Sequence, residues 1–271
     1  KFSYELKANG DLQFPEQGRD PQQNSKQFVA FANQKVKQFF ENQYLQQIDH
    51  LSENNISDQQ DTWIFPVIQM GQLKIRHDES VTRSLIDHAA ENSSLTIGSA
   101  YFNLTSNYMH SILTSPSKNI KVLTAAPISN GFYTAKGLSR NIPSVYDYME
   151  QVFMNNVRRC RRSDEIRVYE YLREGWTFHG KGLWYYASND NKPSATIIGS
   201  SNFGARSTER DVESQIIILT ENDNLKTEME NEHARLFKYT RQATKELLAS
   251  PDRKVALWLR LLTKYFACKF L

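Results

Sequence analysis

The chain has 271 residues, 39% of them hydrophobic and 23% charged, a composition that builds a packed core rather than a disordered tail. No apolar run approaches the roughly 20 residues of a membrane-spanning helix. The net charge of +3 is too small to mark a nucleic-acid binder, so no nucleic-acid partner is expected, although it suits a phosphate-rich or anionic-lipid surface. Two cysteines, Cys160 and Cys268, are too few for a disulfide scaffold or a zinc ribbon and fit a reducing compartment. The sequence opens at Lys1 with no targeting segment, and a fragment of a longer protein is expected.

Residues 1 to about 60 are rich in Gln and Asn, and the stretch from Asn9 to Ser25 reads as a connector. Phe28, Phe31, Val36, Phe39 and Phe40 then recur near helical spacing, which predicts an amphipathic helix over about 26–46 capped by Asp20 or Ser25. From Trp63 the texture changes. Residues 63–68 have strand length, 79–91 carry a helical pattern, 95–100 read as a strand, 107–113 as a helix and 120–124 as a strand. This alternation implies βαβ units and a parallel or mixed sheet covered by helices. A long loop over 125–141 precedes a helix over 143–159 with Val145, Tyr148, Met149, Val152 and Phe153 inward. Residues 166–171 and 177–186 read as adjacent strands, followed by 195–198 and by 214–219, the last so apolar that burial on both faces is expected. A charged helix over 221–245 and a basic, apolar helix over 253–271 complete the prediction.

The informative stretch is Trp176-Thr177-Phe178-His179-Gly180-Lys181-Gly182-Leu183-Trp184, followed by Ile198-Gly199-Ser200-Ser201-Asn202. Two apart on an expected strand, His179 and Lys181 leave the same face. An imidazole beside an ammonium suits the gripping and protonation, or attack, of a phosphodiester. The turn at Gly199 offers hydroxyls, the Asn202 amide and free N–H groups to the same phosphate oxygens. Each piece alone is an ordinary solvated strand or turn. Together, at one sheet edge, they specify a phosphate site.

His179-x-Lys181 followed by Gly199-Ser200-x-Asn202 resembles the HKD motif of the phospholipase D superfamily, and Glu213 matches the acid that orients the imidazole there. Longer blocks, among them Thr62 to Met70, Ala100 to Thr105, Ala135-Lys136-Gly137, Gly175 to Trp184 and Gly199 to Asp211, resemble the C-terminal part of one branch, the CDP-diacylglycerol–glycerol-3-phosphate phosphatidyltransferases of cardiolipin synthesis. The resemblance implies an α/β fold: a phospholipase D-like mixed sheet flanked by helices on both faces, one half of a two-half fold. It implies a polar connector and linker helix over 1–60, a catalytic half over 61–250 and a basic amphipathic helix over 251–271. The chain departs from the pattern at Tyr186, where the motif has a structural Asp, and in carrying a single His-x-Lys where the family combines two.

The chemistry so implied uses no metal and no cofactor. One histidine attacks the phosphorus of CDP-diacylglycerol, CMP leaves, and glycerol 3-phosphate takes the phosphatidyl group in a second displacement. His179 receives the acid/base role, with the reverse assignment open. Lys181 binds the diester anion, Asn202 and Ser200 complete an oxyanion cradle, and Glu213 holds the Nδ1 side of an imidazole. Tyr101 and Asn103 line the substrate pocket or serve as ordinary core, Lys136 reaches a phosphate or stays solvated, and Asp211 is structural. His50, His77, His88, His110 and His233 show no metal-ligand spacing. The terminal helix, with Arg253, Lys254, Arg260, Lys264 and Lys269 among Leu257, Trp258, Leu261 and Leu262, either lies on anionic lipid or packs on the body. The missing first motif comes from an absent N-terminal half or a second chain. The family places the activity in the mitochondrion, at the matrix face of the inner membrane. A homodimeric phospholipase D-type hydrolase or nuclease, and a non-catalytic half-domain, are the rival readings.

Overall fold

Residues up to Gln60 with Met70–Ile75 form one unit, and 61–69 with the chain from Arg76 onward form another, in a computed structural model that describes residues 4–13, 20–54 and 60–265. In the first unit β1 (Glu5–Leu6) pairs antiparallel with β2 (Leu12–Gln13), and α1 (Ser25–Asn54) follows. Asn24 Oδ1 accepts the Gln27 N–H at 3.0 Å, so the cap is Asn24 and neither Asp20 nor Ser25. Asp20 is occupied instead by the Tyr4 hydroxyl and the Gln22 N–H. The helix outruns its expected end at residue 46 because no Gly or Pro interrupts the sequence before Asn54.

The remaining elements are β3 (Thr62–Met70), β4 (Ile75–Arg76), α2 (His77–Asp87), β5 (Ser94–Ser99), α3 (Ser106–Thr114), β6 (Asn119–Ala125), α4 (Ile142–Arg159), β7 (Ile166–Tyr171), β8 (Lys181–Tyr186), β9 (Ala195–Gly199), α5 (Ala205–Glu209), β10 (Val212–Thr220), α6 (Asp223–Phe237), β11 (Thr240–Gln242), α7 (Lys245–Leu248) and α8 (Leu257–Tyr265). Nine strands form one mixed sheet in the order β11-β7-β6-β5-β8-β9-β10-β3-β4. β5, β6 and β7 run parallel, while β8, β9 and β10 continue antiparallel from β5.

Alternation along β5 shows how the sheet is covered. Leu95 and Ile97 are fully buried among Ile86 of α2, Tyr108 and Ile112 of α3, and Phe153 and Val157 of α4. Thr96, between them, points to the other face, where its hydroxyl lies 3.0 Å from His233 Nε2 of α6. Its cross-strand neighbour Trp184 donates to Glu232 at 3.2 Å, and Tyr186 donates to Glu230 at 2.6 Å. Tyr186, at the position where the motif has Asp, therefore ties the sheet to α6.

Five expectations are corrected. β7 and β8 are not neighbours, because β8 pairs with β5 and β9 while β7 pairs with β6 and β11. Residues 177–180 lie outside β8: the Phe178 N–H donates to Ser129 O, and its ring stacks on Tyr171 at 5.0 Å, which draws the segment off the ladder. β10 is buried on one face only; Glu213, Gln215 and Ile217 are buried, whereas Val212 is 73% and Ile216 37% exposed. α6 stops at Phe237 because Thr240–Gln242 turns away to pair with the edge of β7. At the C-terminus Arg253 sits in a 3-10 turn, α8 covers Leu257–Tyr265, and the last part of the expected 253–271 helix lies outside the described residues.

Buried charge secures the C-terminal segment. Arg253, 2% exposed, donates to Asp147 at 2.5 Å and to both Glu170 oxygens at 2.7 and 2.8 Å, and Arg241 adds a bond to Glu170 at 2.9 Å. Burial pushes the Asp147 carboxyl up to about 6 against the pull of Arg253. Burial, reinforced by Glu170 and Asp147, holds the Glu150 carboxyl well above the usual range. Two arginines thus face a cluster of three acidic side chains, Asp147, Glu150 and Glu170.

Candidate active site

The C-terminal ends of the parallel strands share one sheet edge with the start of β8, the end of β9 and the start of β10. Register fixes this: Ser99 pairs with Lys181, and Gly199 with Gln215. Diverging loops at the carboxyl ends of parallel strands are where open α/β sheets bind ligands. Gly199 is required there, since a Cβ would stand 2.4 Å from Ser214 O and 2.6 Å from Gln215 Cα.

Lys181 begins β8, and its Nζ lies 3.0 Å from His179 Nε2, 3.2 Å from Nδ1 and 3.2 Å from the His179 carbonyl oxygen. His179 is solvent-exposed in the segment before the strand, so the pair meets although only Lys181 is on the ladder. Partial burial first, then the Lys181 charge, hold the imidazole below its ordinary range. Burial likewise lowers Lys181, and Glu213 opposes that shift. A neutral ring beside an ammonium can accept a proton from an incoming hydroxyl while the cation faces an anion.

Aromatic rings wall one side. Tyr101, just past β5, meets the His179 ring edge-on at 5.4 Å, stacks on Tyr146 of α4 at 5.4 Å and touches Phe132 at 5.8 Å. Burial raises the Tyr101 phenol, and the charge of Arg206 offsets part of that. Asp211, expected to be structural, pairs with Arg206 at 2.9 Å.

The turn after β9 is held from behind. The Ser200 hydroxyl donates to Ser214 O at 3.3 Å and accepts from Ser214 N at 3.1 Å, so it is engaged with the β10 backbone. Ser201 donates to Asp78 at 2.5 Å, and the Asn202 N–H donates to Ser207 Oγ at 3.1 Å. Asn202 Oδ1 is buried without a hydrogen-bond partner among the described residues. Asn103 Oδ1 is likewise unpartnered, and the Asn103 side chain fills the space a Cβ on Gly204 would need.

Glu213 is buried on β10. Among the described residues it makes no hydrogen bond to His179, and its charge acts on Lys181 instead. Lys136 is exposed on the 125–141 loop. The geometry thus gathers His179, Lys181 and Tyr101 at the rim, sets Ser200, Asn202, Asn103 and Glu213 into the neighbouring turn and strands, and leaves Lys136 on the surface. Two participants had no signal in the sequence. Tyr146 backs Tyr101, and Asp78, 1% exposed, accepts from Ser201, from Gln215 at 2.6 Å and from Thr82 at 3.0 Å. Among the described residues the one grouping of potential metal ligands is Asp147, Glu150 and Glu170, which Arg253 already joins.

No family model matches the chain. Curated proteins do. It is 46% identical over 213 residues to a probable CDP-diacylglycerol–glycerol-3-phosphate 3-phosphatidyltransferase of Dictyostelium discoideum, covering 79% of this chain and 36% of that protein. Mitochondrial enzymes of the same name match at 39% identity in Gallus gallus (81% of this chain, 39% of that protein) and at 37% in Homo sapiens (83% and 40%). The chain is a homologue of these phosphatidyltransferases. It spans 36–40% of the length of these three phosphatidyltransferases. Among solved structures, phosphatidylserine synthase of Haemophilus influenzae Rd KW20 superposes with a TM-score of 0.62 at 18% identity, over 76% of this chain and 45% of that one, which shows a shared fold. A phospholipase D family member, Nuc of Salmonella typhimurium, aligns at a TM-score of 0.45 over 68% of this chain and 12% identity. The expected α/β class, a mixed sheet flanked by helices, stands.

Proposed function

We propose that this chain supplies one half of the active site of a phosphatidyltransferase that moves the phosphatidyl group of CDP-diacylglycerol onto glycerol 3-phosphate, releasing CMP. The observation that carries the reading is the His179–Lys181 pair, 3.0 Å apart at a solvent-exposed rim, in a chain homologous to enzymes of that name. In the first displacement a histidine of the complementary half forms a P–N bond to the phosphatidyl phosphorus as the P–O bond to CMP breaks, and His179 delivers the proton to the departing phosphate. In the second, the neutral His179 takes the hydroxyl proton of glycerol 3-phosphate as that oxygen displaces the histidine nitrogen. Lys181 faces the diester anion throughout, and Asn202, with its polar neighbours in the turn, supports the developing charge.

The complementary half comes from further residues of a longer protein or from a second chain. An uncovered apolar sheet face favours this. Ile198, 46% exposed, pairs with Ile216, and Val212 is exposed beyond them, all on the two strands that lead into the rim. By analogy with the vertebrate relatives' names, the proposed compartment is the mitochondrion, with the site at the matrix face of the inner membrane.

The test measures CMP release from CDP-diacylglycerol and glycerol 3-phosphate. Three samples are compared: the chain alone, the chain within a protein of the relatives' full length, and that protein with His179→Ala. The chain alone is expected to be inactive, and the substitution to cost about 10²–10⁴-fold in the full-length protein. Undiminished turnover by His179→Ala refutes the assignment, and phosphatidic acid formed without glycerol 3-phosphate replaces the transferase by a hydrolase.

A further inference from the structure

A cavity lined by basic residues lies at the far end of α4. Tyr146, in its second turn, stacks on Tyr101 at the rim; Asn155 and Arg158, in its last turns, line a surface cavity of ≈ 290 Å³ with Lys245, Arg253, Lys254 and Arg260. Twelve residues of helix separate Tyr146 from Arg158, about 18 Å. The lining has five cationic side chains and no acidic one; Glu246 and Asp252, adjacent in sequence to two of them, lie outside it. Arg253 is committed to Asp147 and Glu170, whereas Arg158, Lys245, Lys254 and Arg260 form no ion pair among the described residues. Glu246 feels the charge of Lys245, Arg158 donates to Asn155 and Arg260 to the Val255 carbonyl, yet no carboxylate enters the concavity, so its net field is positive and favours an anion. The volume falls near the lower bound of small-ligand pockets, about 300 Å³, which suits a headgroup rather than a whole lipid.

The neighbouring helix says where that anion comes from. α8 turns Leu259 and Thr263 inward, with Leu259 against Val145 and Val255. Leu257, Trp258, Leu261, Leu262 and Tyr265 form a continuous stripe on its other side, between 43% and 72% exposed. An apolar helix face beside clustered Lys and Arg is the pattern of a protein seated on an anionic bilayer. We infer that α8 lies in the bilayer interface and that the cavity of Arg158, Lys245, Lys254 and Arg260 takes the phosphate of an anionic phospholipid headgroup. This site is separate from the HxK rim, and it rests on the phosphatidyltransferase reading only in choosing a membrane lipid as the source of the phosphate.

Flotation of the chain with phosphatidylcholine vesicles, with and without phosphatidylglycerol, tests it. Each basic residue at such a surface is worth about five-fold in affinity, so Arg158→Gln/Lys245→Gln/Lys254→Gln should bind phosphatidylglycerol vesicles about a hundred-fold more weakly. Lys7→Gln/Lys35→Gln/Lys37→Gln, which removes equal charge from exposed positions elsewhere, should change binding far less. An unchanged urea midpoint shows that the first triple variant folds. Equal losses in the two triples overturn the pocket in favour of diffuse attraction. Displacement by millimolar inorganic phosphate overturns the lipid source. A dimer in solution that is abolished by Trp258→Ala, with vesicle binding retained, gives the apolar stripe to a second copy. Turnover of the full-length protein on detergent-dispersed CDP-diacylglycerol is read in parallel, so failure of the catalytic reading is seen separately.

Discussion

Replacing Asp78 tests whether the turn that carries Asn202 is held from the interior. The buried carboxylate accepts from Ser201, Gln215 and Thr82 at 2.5, 2.6 and 3.0 Å. Hydrogen bonds to a charged acceptor contribute about 1.5–3 kcal/mol each, and the carboxylate's own desolvation offsets part of the total. Asp78→Ala should therefore lower unfolding free energy by about 3–5 kcal/mol, leaving the Gln215 amide without its acceptor. Asp78→Asn keeps an oxygen for Gln215 and Thr82 and offers an N–H to Ser201 Oγ, so its cost should be about 1–2 kcal/mol. Urea titration followed by tryptophan fluorescence reads both values, and in the full-length protein CMP release should follow the same order. An Ala variant within about 1 kcal/mol of the parent, or an Asn variant as damaged as Ala, would refute the reasoning.

NMR titration of the chain should place the His179 midpoint below the ordinary imidazole range. Lys181→Met, by removing a like charge, should move it upward; no movement would remove Lys181 as a cause. Burial holds His233 down to about 4, so the unfolded chain binds its proton first, and stability present above about pH 6.5 is lost as pH falls toward 4, by about 3 kcal/mol. Asp147, raised to about 6, acts oppositely, its buried charge being relieved as pH drops through that value. The parent's acid flank should accordingly be shallow. The stability difference between His233→Phe and the parent should shift by about 3 kcal/mol in the variant's favour between pH 7 and 4; urea melts showing a pH-independent difference would reject this. Gly199→Ala forces a methyl onto the β10 backbone and should cost about 1–3 kcal/mol, whereas a neutral result would mean the two strands yield freely. Val212→Lys should leave the urea midpoint of the chain within error yet weaken its association with the complementary half, as sedimentation of the mixture would show.

Much of the second unit was legible because its elements announce themselves locally. The apolar runs at 95–100 and 120–124 and the periodicity at 143–159 fall within a residue or so of β5, β6 and α4. The HxK pair was readable because two residues at that spacing converge almost wherever the backbone is extended. What escaped depends on pairing across the chain. Asp78 meets partners 123 and 137 residues away, and no local pattern distinguishes it from a surface acid at a helix start. β11 is three residues of undistinguished sequence that exist as a strand because β7 has a free edge. Ile216 to Leu219 suggested a strand enclosed on both sides, since hydropathy records the wish for cover and not whether the cover lies within the same unit.

The guanidinium of Arg253 has a practical corollary for anyone shortening this protein. Its countercharge sits between α4 and β7, two central pieces of the second unit, although it arrives from near the end of the described sequence. Cutting just before it would strand two acidic groups in the interior with only Arg241 at their margin, and soluble expression should collapse. Ending after Val255 should keep these ion pairs and discard the exposed apolar stripe, at the cost of the Leu259 contact with Val145 and Val255.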